Sequence, residues 1–199
     1  DELGNVVDGD QIMAIVGAHM RNMGKLKQNT IVATVMSNLG LFLFGEKEKI
    51  HIEKTKVGDR YVLERMREIG ASLGGEQSGH IIFSKYARTG DGILTSLMIM
   101  EVILEKKQSL SKLCEEVKIY PQLLKNVRVK DKKTARENPA VQKAVEEAAK
   151  ALGEDGRILV RESGTEPVIR VMVEAATDEI CAEHVDRVIA VIEEQGLTV

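Results

Sequence analysis

Ile31-Val32-Ala33-Thr34-Val35-Met36 is the stretch on which the fold turns. It is short, apolar and β-branched, the composition of a strand buried on both faces. Upstream, apolar residues recur at helical spacing as Ile12, Ile15, Val16, His19, Met20 and Met23, with Asp10 placed to cap the start and Gly24 to end the helix. Downstream, Ile50 to Lys56 alternates apolar and polar residues like a half-exposed strand. Asp59 opens a second helix with Val62, Met66 and Ile69 on its inner face, and Gly70 ends it. A loop with paired glycines, Gly74-Gly75-Glu76-Gln77-Ser78-Gly79-His80, runs into the strand-like Ile81-Ile82-Phe83. The clearest helix follows, with Asp91 near its start and Ile93, Leu97, Met100 and Leu104 sharing one face. Strands alternating with helices of this length predict an α/β layered sheet domain.

Between Lys112 and Gln122 the pattern loosens, and Pro121 falls there. This divides the chain into an expected first domain over 1–117 and a second over 118–199. Beyond the division the order of elements changes. A strand at Val127-Arg128-Val129 precedes a helix from Pro139 to Leu152. Two strands close in sequence come next, Arg157 to Arg161 and Val168 to Ala175. A last helix from Asp178 to about Gln195 turns Cys181, Val185, Val188 and Ile192 inward. The prediction is a smaller α+β domain with an antiparallel sheet packed by helices.

Composition narrows the function. The chain has 199 residues, 28 of them basic and 31 acidic, and no basic stripe stands out. Phosphate-backbone binding of nucleic acid therefore has no footprint, and aromatics at 3% leave little for base stacking. Apolar runs fall far short of the ~20 residues that cross a bilayer, so no membrane role is expected. Cys114 and Cys181 lie far apart, which argues against a disulfide framework and for reduced thiols in a cytoplasm. The opening Asp1-Glu2-Leu3-Gly4-Asn5 reads like a turn between strands, so a piece of a longer protein is expected.

Two loops carry chemistry. Gly75-Glu76-Gln77-Ser78-Gly79-His80 sets a carboxylate, an amide, a hydroxyl and an imidazole between glycines, which permit close approach and positive φ. Glu accepts while Ser donates and accepts, a pairing suited to vicinal sugar hydroxyls. The same residues also make an ordinary polar turn. Arg161-Glu162-Ser163-Gly164-Thr165-Glu166-Pro167 places a guanidinium at a strand end before a Ser-Gly-Thr turn, and such a turn's backbone N–H groups can nest an anion. The plainer reading is a hairpin turn with Arg161 paired to Glu162 or Glu166. Arg170 lies opposite the face of Ile169, Val171 and Val173, either lining a ligand surface or facing water.

Together these loops resemble the sugar-binding and phosphate-binding loops of the α-D-phosphohexomutases. Asp8-Gly9-Asp10, Val35 to Gly40, Lys54 to Arg60 and Thr89-Gly90-Asp91-Gly92 fall in that family's order. Gln77, between Glu76 and Ser78, is similar to the phosphoglucosamine mutase branch, while the phosphomannomutase/phosphoglucomutase and phosphoglucomutase branches tend to differ there. The resemblance implies a four-domain enzyme of which this chain is the third and fourth domains. Phosphoryl would move between O6 and O1 of glucosamine phosphate through glucosamine 1,6-bisphosphate, using a phosphoserine and magnesium held in the first two domains, so the partner is the N-terminal half of the same protein. It further implies that Glu76, Ser78 and His80 serve the sugar and that Arg161, Ser163, Gly164, Thr165 and Arg170 serve the phosphate. By the same token Lys56, Asp59 and Arg60 face the active site, although Asp59 is equally well explained as a helix cap. Asp8-Gly9-Asp10 looks like a magnesium site but leads straight into the Ile12 helix and reads as a turn and cap, so no metal site is expected here. A phosphomannomutase/phosphoglucomutase relative and a stand-alone phosphosugar-binding module are the other readings.

Overall fold

In the computed structural model, which describes residues 1–199, the buried stretch is strand β1 (Thr30–Thr34). It sits at the centre of a four-stranded sheet with β2 (His51–Thr55), β3 (Leu73–Gly75) and β4 (Ile81–Phe83), in the order β2-β1-β3-β4. The first three strands are parallel and β4 returns antiparallel to β3. Period-two alternation divides the sheet between two layers. Ile31, Ala33, Leu73, Ile81 and Phe83 pack with helices α1 (Gly9–Asn22), α2 (Leu39–Glu48) and α4 (Gly92–Lys106), and with the short α5 (Leu110–Cys114). Val32 and Ile82 turn the other way onto Val62 and Met66 of α3 (Asp59–Ile69).

Several local expectations give way to packing. The paired glycines Gly74 and Gly75 lie in β3 rather than in a loop. A Cβ on Gly74 would stand 2.7 Å from the Met66 sulfur and 2.8 Å from the Val32 carbonyl, so glycine there serves helix-on-sheet contact. Asp8, not Asp10, caps α1: its carboxylate accepts the Gln11 N–H and the Gln11 side chain answers to the Asp8 backbone. Gly58 is the cap position of α3, leaving Asp59 in the first turn. Helix α2 carries no polar stripe to announce it. Leu39, Gly40, Leu41, Phe42, Phe44 and Gly45 are all buried, and Gly40 and Gly45 let neighbouring backbone come close. On α4 the stripe Ile93, Leu97, Met100 and Leu104 faces outward, 78%, 58%, 50% and 74% exposed. The core takes Val102, with Leu94, Met98, Ile99 and Ile103 partly buried against it.

Residues 120–199 form a second compact unit, residues 1–119 being the first. Its sheet has the order β5-β7-β6, with β5 (Gln122–Arg128) and β6 (Arg157–Glu162) each antiparallel to β7 (Val168–Glu174). Ile169, Val171 and Val173 project onto α7 (Pro139–Leu152) and α8 (Asp178–Glu194). Cys181, Val185, Val188 and Ile192 of α8 are fully buried there, each apolar side chain worth about 1.5–3 kcal/mol. A short helix absent from the sequence reading, α6 (Lys132–Glu137), lies by β6 and β7.

Val102→Ala should lower the stability of the chain by about 1–3 kcal/mol. Leu97→Ala, on the exposed face of the same helix, should stay within about 0.5 kcal/mol of the parent. Urea denaturation midpoints of the two variants check the assignment of faces.

Candidate functional site

The first unit gathers its polar loops at one edge. Parallel strands β1, β2 and β3 end there, the edge at which open α/β sheets bind ligands. Residues 76–80 form the β3–β4 turn, closed by Gly79 N–H to the Glu76 carbonyl and Glu76 N–H to the His80 carbonyl. Gly79, at φ 96°, is the one residue of the turn whose backbone requires glycine's freedom.

Three helix N-termini support this turn. The Gly9 N–H at the start of α1 donates to the Gln77 carbonyl at 2.9 Å. The Gln77 side chain donates to the second oxygen of Asp8 at 3.2 Å, while the first oxygen caps the helix. Beside α3, the Gly58 N–H donates to Glu76 Oε1 at 3.0 Å. The Gly90 N–H, just before α4, donates to His80 Nε2 at 3.1 Å, and the Asp91 N–H reaches the Ile81 carbonyl. A Cβ on Gly90 would lie 2.6 Å from His80 Nε2, so the imidazole rests on that glycine. Helix N-termini carry partial positive charge, which favours a negatively charged ligand at this edge.

Individual residues fare differently. Glu76 is partly buried and holds the 56–60 loop with one oxygen, while Ser78 is exposed at the tip. His80 Nε2 accepts from Gly90, so the neutral ring carries its proton on Nδ1. Asp59 Oδ2 stands 3.5 Å from the same nitrogen. Lys56 is exposed over the Tyr61 ring. Arg60 turns away to Glu64 at 2.8 Å, and that bond raises its already high pKa.

Asp8 and Asp10 do not fit magnesium. Both Asp8 oxygens accept protein donors, and Asp10 is fully buried with one oxygen taken by the Asn38 N–H. A hard cation needs several open oxygens.

In the second unit, register creates what spacing could not. Arg161 of β6 pairs directly with Arg170 of β7, which pairs in turn with Asn126 of β5. Two guanidiniums thus face each other across the ladder, an arrangement that destabilises a sheet unless an anion joins them. Burial and the neighbouring Arg170 both push the Arg161 pKa down. Neither of the hairpin's carboxylates reaches Arg161. Glu162 pairs with Arg136 at 3.1 Å, and Glu166 reaches Arg170 at 3.5 Å, with none within ion-pair range of Arg161. Arg170 Nε is buried without a partner.

The turn itself is narrower than a full nest. Ser163 N–H is spent on the Val168 carbonyl, and the buried Ser163 hydroxyl accepts the Glu166 N–H. Gly164 and Thr165 stay exposed. Lys132 of α6 donates to the Ser163 carbonyl at 2.8 Å, bringing a further cation that sequence reasoning passed over.

Comparison with known proteins places this arrangement. The phosphoglucomutase/phosphomannomutase alpha/beta/alpha domain III model matches residues 8–120, and that family's C-terminal domain model matches residues 124–191. The chain belongs to the phosphoglucomutase/phosphomannomutase family. Within it the similarity is to phosphoglucosamine mutases. That of Lachnoclostridium phytofermentans is 56% identical over 196 residues, 98% of this chain and 44% of the relative. That of Bacillus subtilis is 52% identical over 198 residues, 99% of this chain and 44% of the relative. The chain thus spans less than half the length of the curated relatives it matches. The Aspergillus fumigatus N-acetylphosphoglucosamine mutase, solved in complex with GlcNAc-6P and magnesium, shares the fold at a TM-score of 0.78 and 21% identity, over 98% of this chain and 46% of that one.

Gly9→Ala would put a Cβ 2.2 Å from the Glu76 carbonyl oxygen, a backbone atom that cannot step aside. It should cost about 1–3 kcal/mol and broaden the amide NMR signals of residues 76–80. Arg161→Gln relieves the facing guanidiniums, so the unliganded chain should be as stable as the parent or up to about 1 kcal/mol more stable by thermal melting.

Proposed function

We propose that this chain is the substrate-recognition part of a phosphoglucosamine mutase, which interconverts glucosamine 6-phosphate and glucosamine 1-phosphate through a 1,6-bisphosphate. The observation that carries the reading is Arg161, which has no carboxylate in ion-pair range, facing Arg170 beside the Ser163-Gly164-Thr165 turn. A phosphate dianion offers oxygens to both forks and to the free turn N–H groups at once. Glu76 and Ser78 read sugar hydroxyls, with His80 and Asp59 steadying the loop and Lys56 supplying a nearby cation. Ser163 shapes the turn, and Arg161, Arg170, Gly164 and Thr165 make the anion contacts.

Phosphoryl transfer asks a protein chiefly for positioning and charge stabilisation. In this reading the chain positions the sugar and the non-reacting phosphate. The serine and the magnesium ligands belong to the first two domains of the whole enzyme, since Asp8 and Asp10 are committed to α1 and its neighbours. The 199 residues alone should give only background turnover in a coupled assay with glucosamine 6-phosphate and a trace of the bisphosphate. Turnover above that level in preparations free of full-length enzyme would overturn this division of labour.

Titration with inorganic phosphate and glucosamine 6-phosphate, by calorimetry or NMR, tests the loops separately. Arg161→Lys keeps the charge but loses the planar fork, and phosphate affinity should fall by roughly 1.5–3 kcal/mol. Glu76→Gln can still accept the Gly58 N–H. It should weaken the sugar phosphate and leave inorganic phosphate unchanged. Parent-like phosphate binding by Arg161→Lys would reduce the second loop to a hairpin turn.

A further inference from the structure

α1 and α4 pack together along the first unit, and both begin at the 76–80 turn. Ten residues past Gly9, about 15 Å along the helix at 1.5 Å per residue, His19 of α1 turns toward α4. It is 5% exposed, yet its Nε2 has no hydrogen-bond partner. A buried polar atom left unsatisfied is costly and calls for an explanation.

The groups facing that nitrogen come from α4. Glu101 and Glu105, one helical turn apart, lie on the same face. Glu105 Oε2 stands 3.6 Å from His19 Nε2, beyond a hydrogen bond. One ligand atom from each of the three residues lies within 4.8 Å of the others. Lys25 offers Glu101 a contact at 3.8 Å, too loose to neutralise the pair of carboxylates.

We propose that His19, Glu101 and Glu105 form a binding site for a divalent transition metal of the zinc type. One imidazole and two carboxylates are a donor set zinc accepts, with the fourth tetrahedral position left to water. The imidazole disfavours magnesium, which prefers oxygen ligands in octahedral geometry. Preorganisation comes from His19, fixed by burial, while the two half-exposed glutamates close on the ion by changing rotamer. The ion would link α1 to α4 at the end away from the 76–80 loop, and so brace the two helices whose N-terminal approaches hold Gln77 and His80.

The test uses the chelator-treated 199-residue chain, titrated calorimetrically with zinc sulfate and, for geometry, with cobalt(II) followed by visible absorption. One equivalent of zinc should bind, the melting temperature should rise as expected for a ligand that binds only the folded state, and magnesium should do neither. Loss of even an outer-shell partner weakens metal sites roughly 10–100-fold, so Glu105→Gln should lose at least that much. Glu105 is half-exposed, so this variant should keep the parent's circular dichroism, whereas His19→Gln risks the core and serves only as a second check. The proposal is overturned by a parent that shows no saturable zinc binding. It is equally overturned by binding that survives intact in Glu105→Gln, or that disappears instead in a His51→Gln variant, which removes the exposed imidazole paired with Glu53.

Discussion

The closeness of Gly9 to the Glu76 carbonyl is the contact on which the first unit's working edge depends. Because residue 9 has no side chain, the start of α1 fits beneath the 76–80 turn and its N–H meets the Gln77 carbonyl. Asp8 then does two jobs with two oxygens, ending α1 and holding Gln77. From that contact the rest follows in order: Glu76 reaches Gly58 and sets the 56–60 loop, and His80 lies on Gly90 and sets the approach to α4. The loop is polar and exposed at its tip but fixed at its root, the preorganisation that the proposed recognition of hydroxyls would use.

The second unit solves a different problem by accepting strain. A sheet gains little from opposed arginines and loses stability through their repulsion. Here Arg161 and Arg170 are opposed while nearby glutamates pair with Arg136 or touch only one of the two. Local rules broken without compensation tend to mark functional sites. Lys132, holding the Ser163 carbonyl from α6, adds charge to the same hairpin end.

Much of this was readable in advance. Both loops stood out by residue type, and α7 and α8 fall where the sequence reading put them. Gln77 was noticed as a branch marker, and the structure gives it a mechanical role through Asp8. Other features were hidden for physical reasons. β3 is two-thirds glycine and carries no strand propensity, because α3 crowds Gly74 and the His80–Ile81 backbone crowds Gly75. The first seven residues of α2, Leu39 to Gly45, are all apolar or glycine, so no stripe distinguished it from a buried strand or loop. On α4 apolar residues occupy more than one face, and periodicity alone does not say which face meets the sheet.

The sequence by itself determined the alternation of strand and helix, the change to a hairpin-based unit, and the two polar loops, since these depend on residues near one another in the chain. Only the tertiary structure decided that Arg161 faces Arg170, that Asp8 holds Gln77, that Gly90 carries the His80 ring, and that His19 meets Glu101 and Glu105. Each of these joins residues brought together by strand register or helix docking. Such pairings are fixed by the packing of the whole unit, and no local pattern of side chains encodes them.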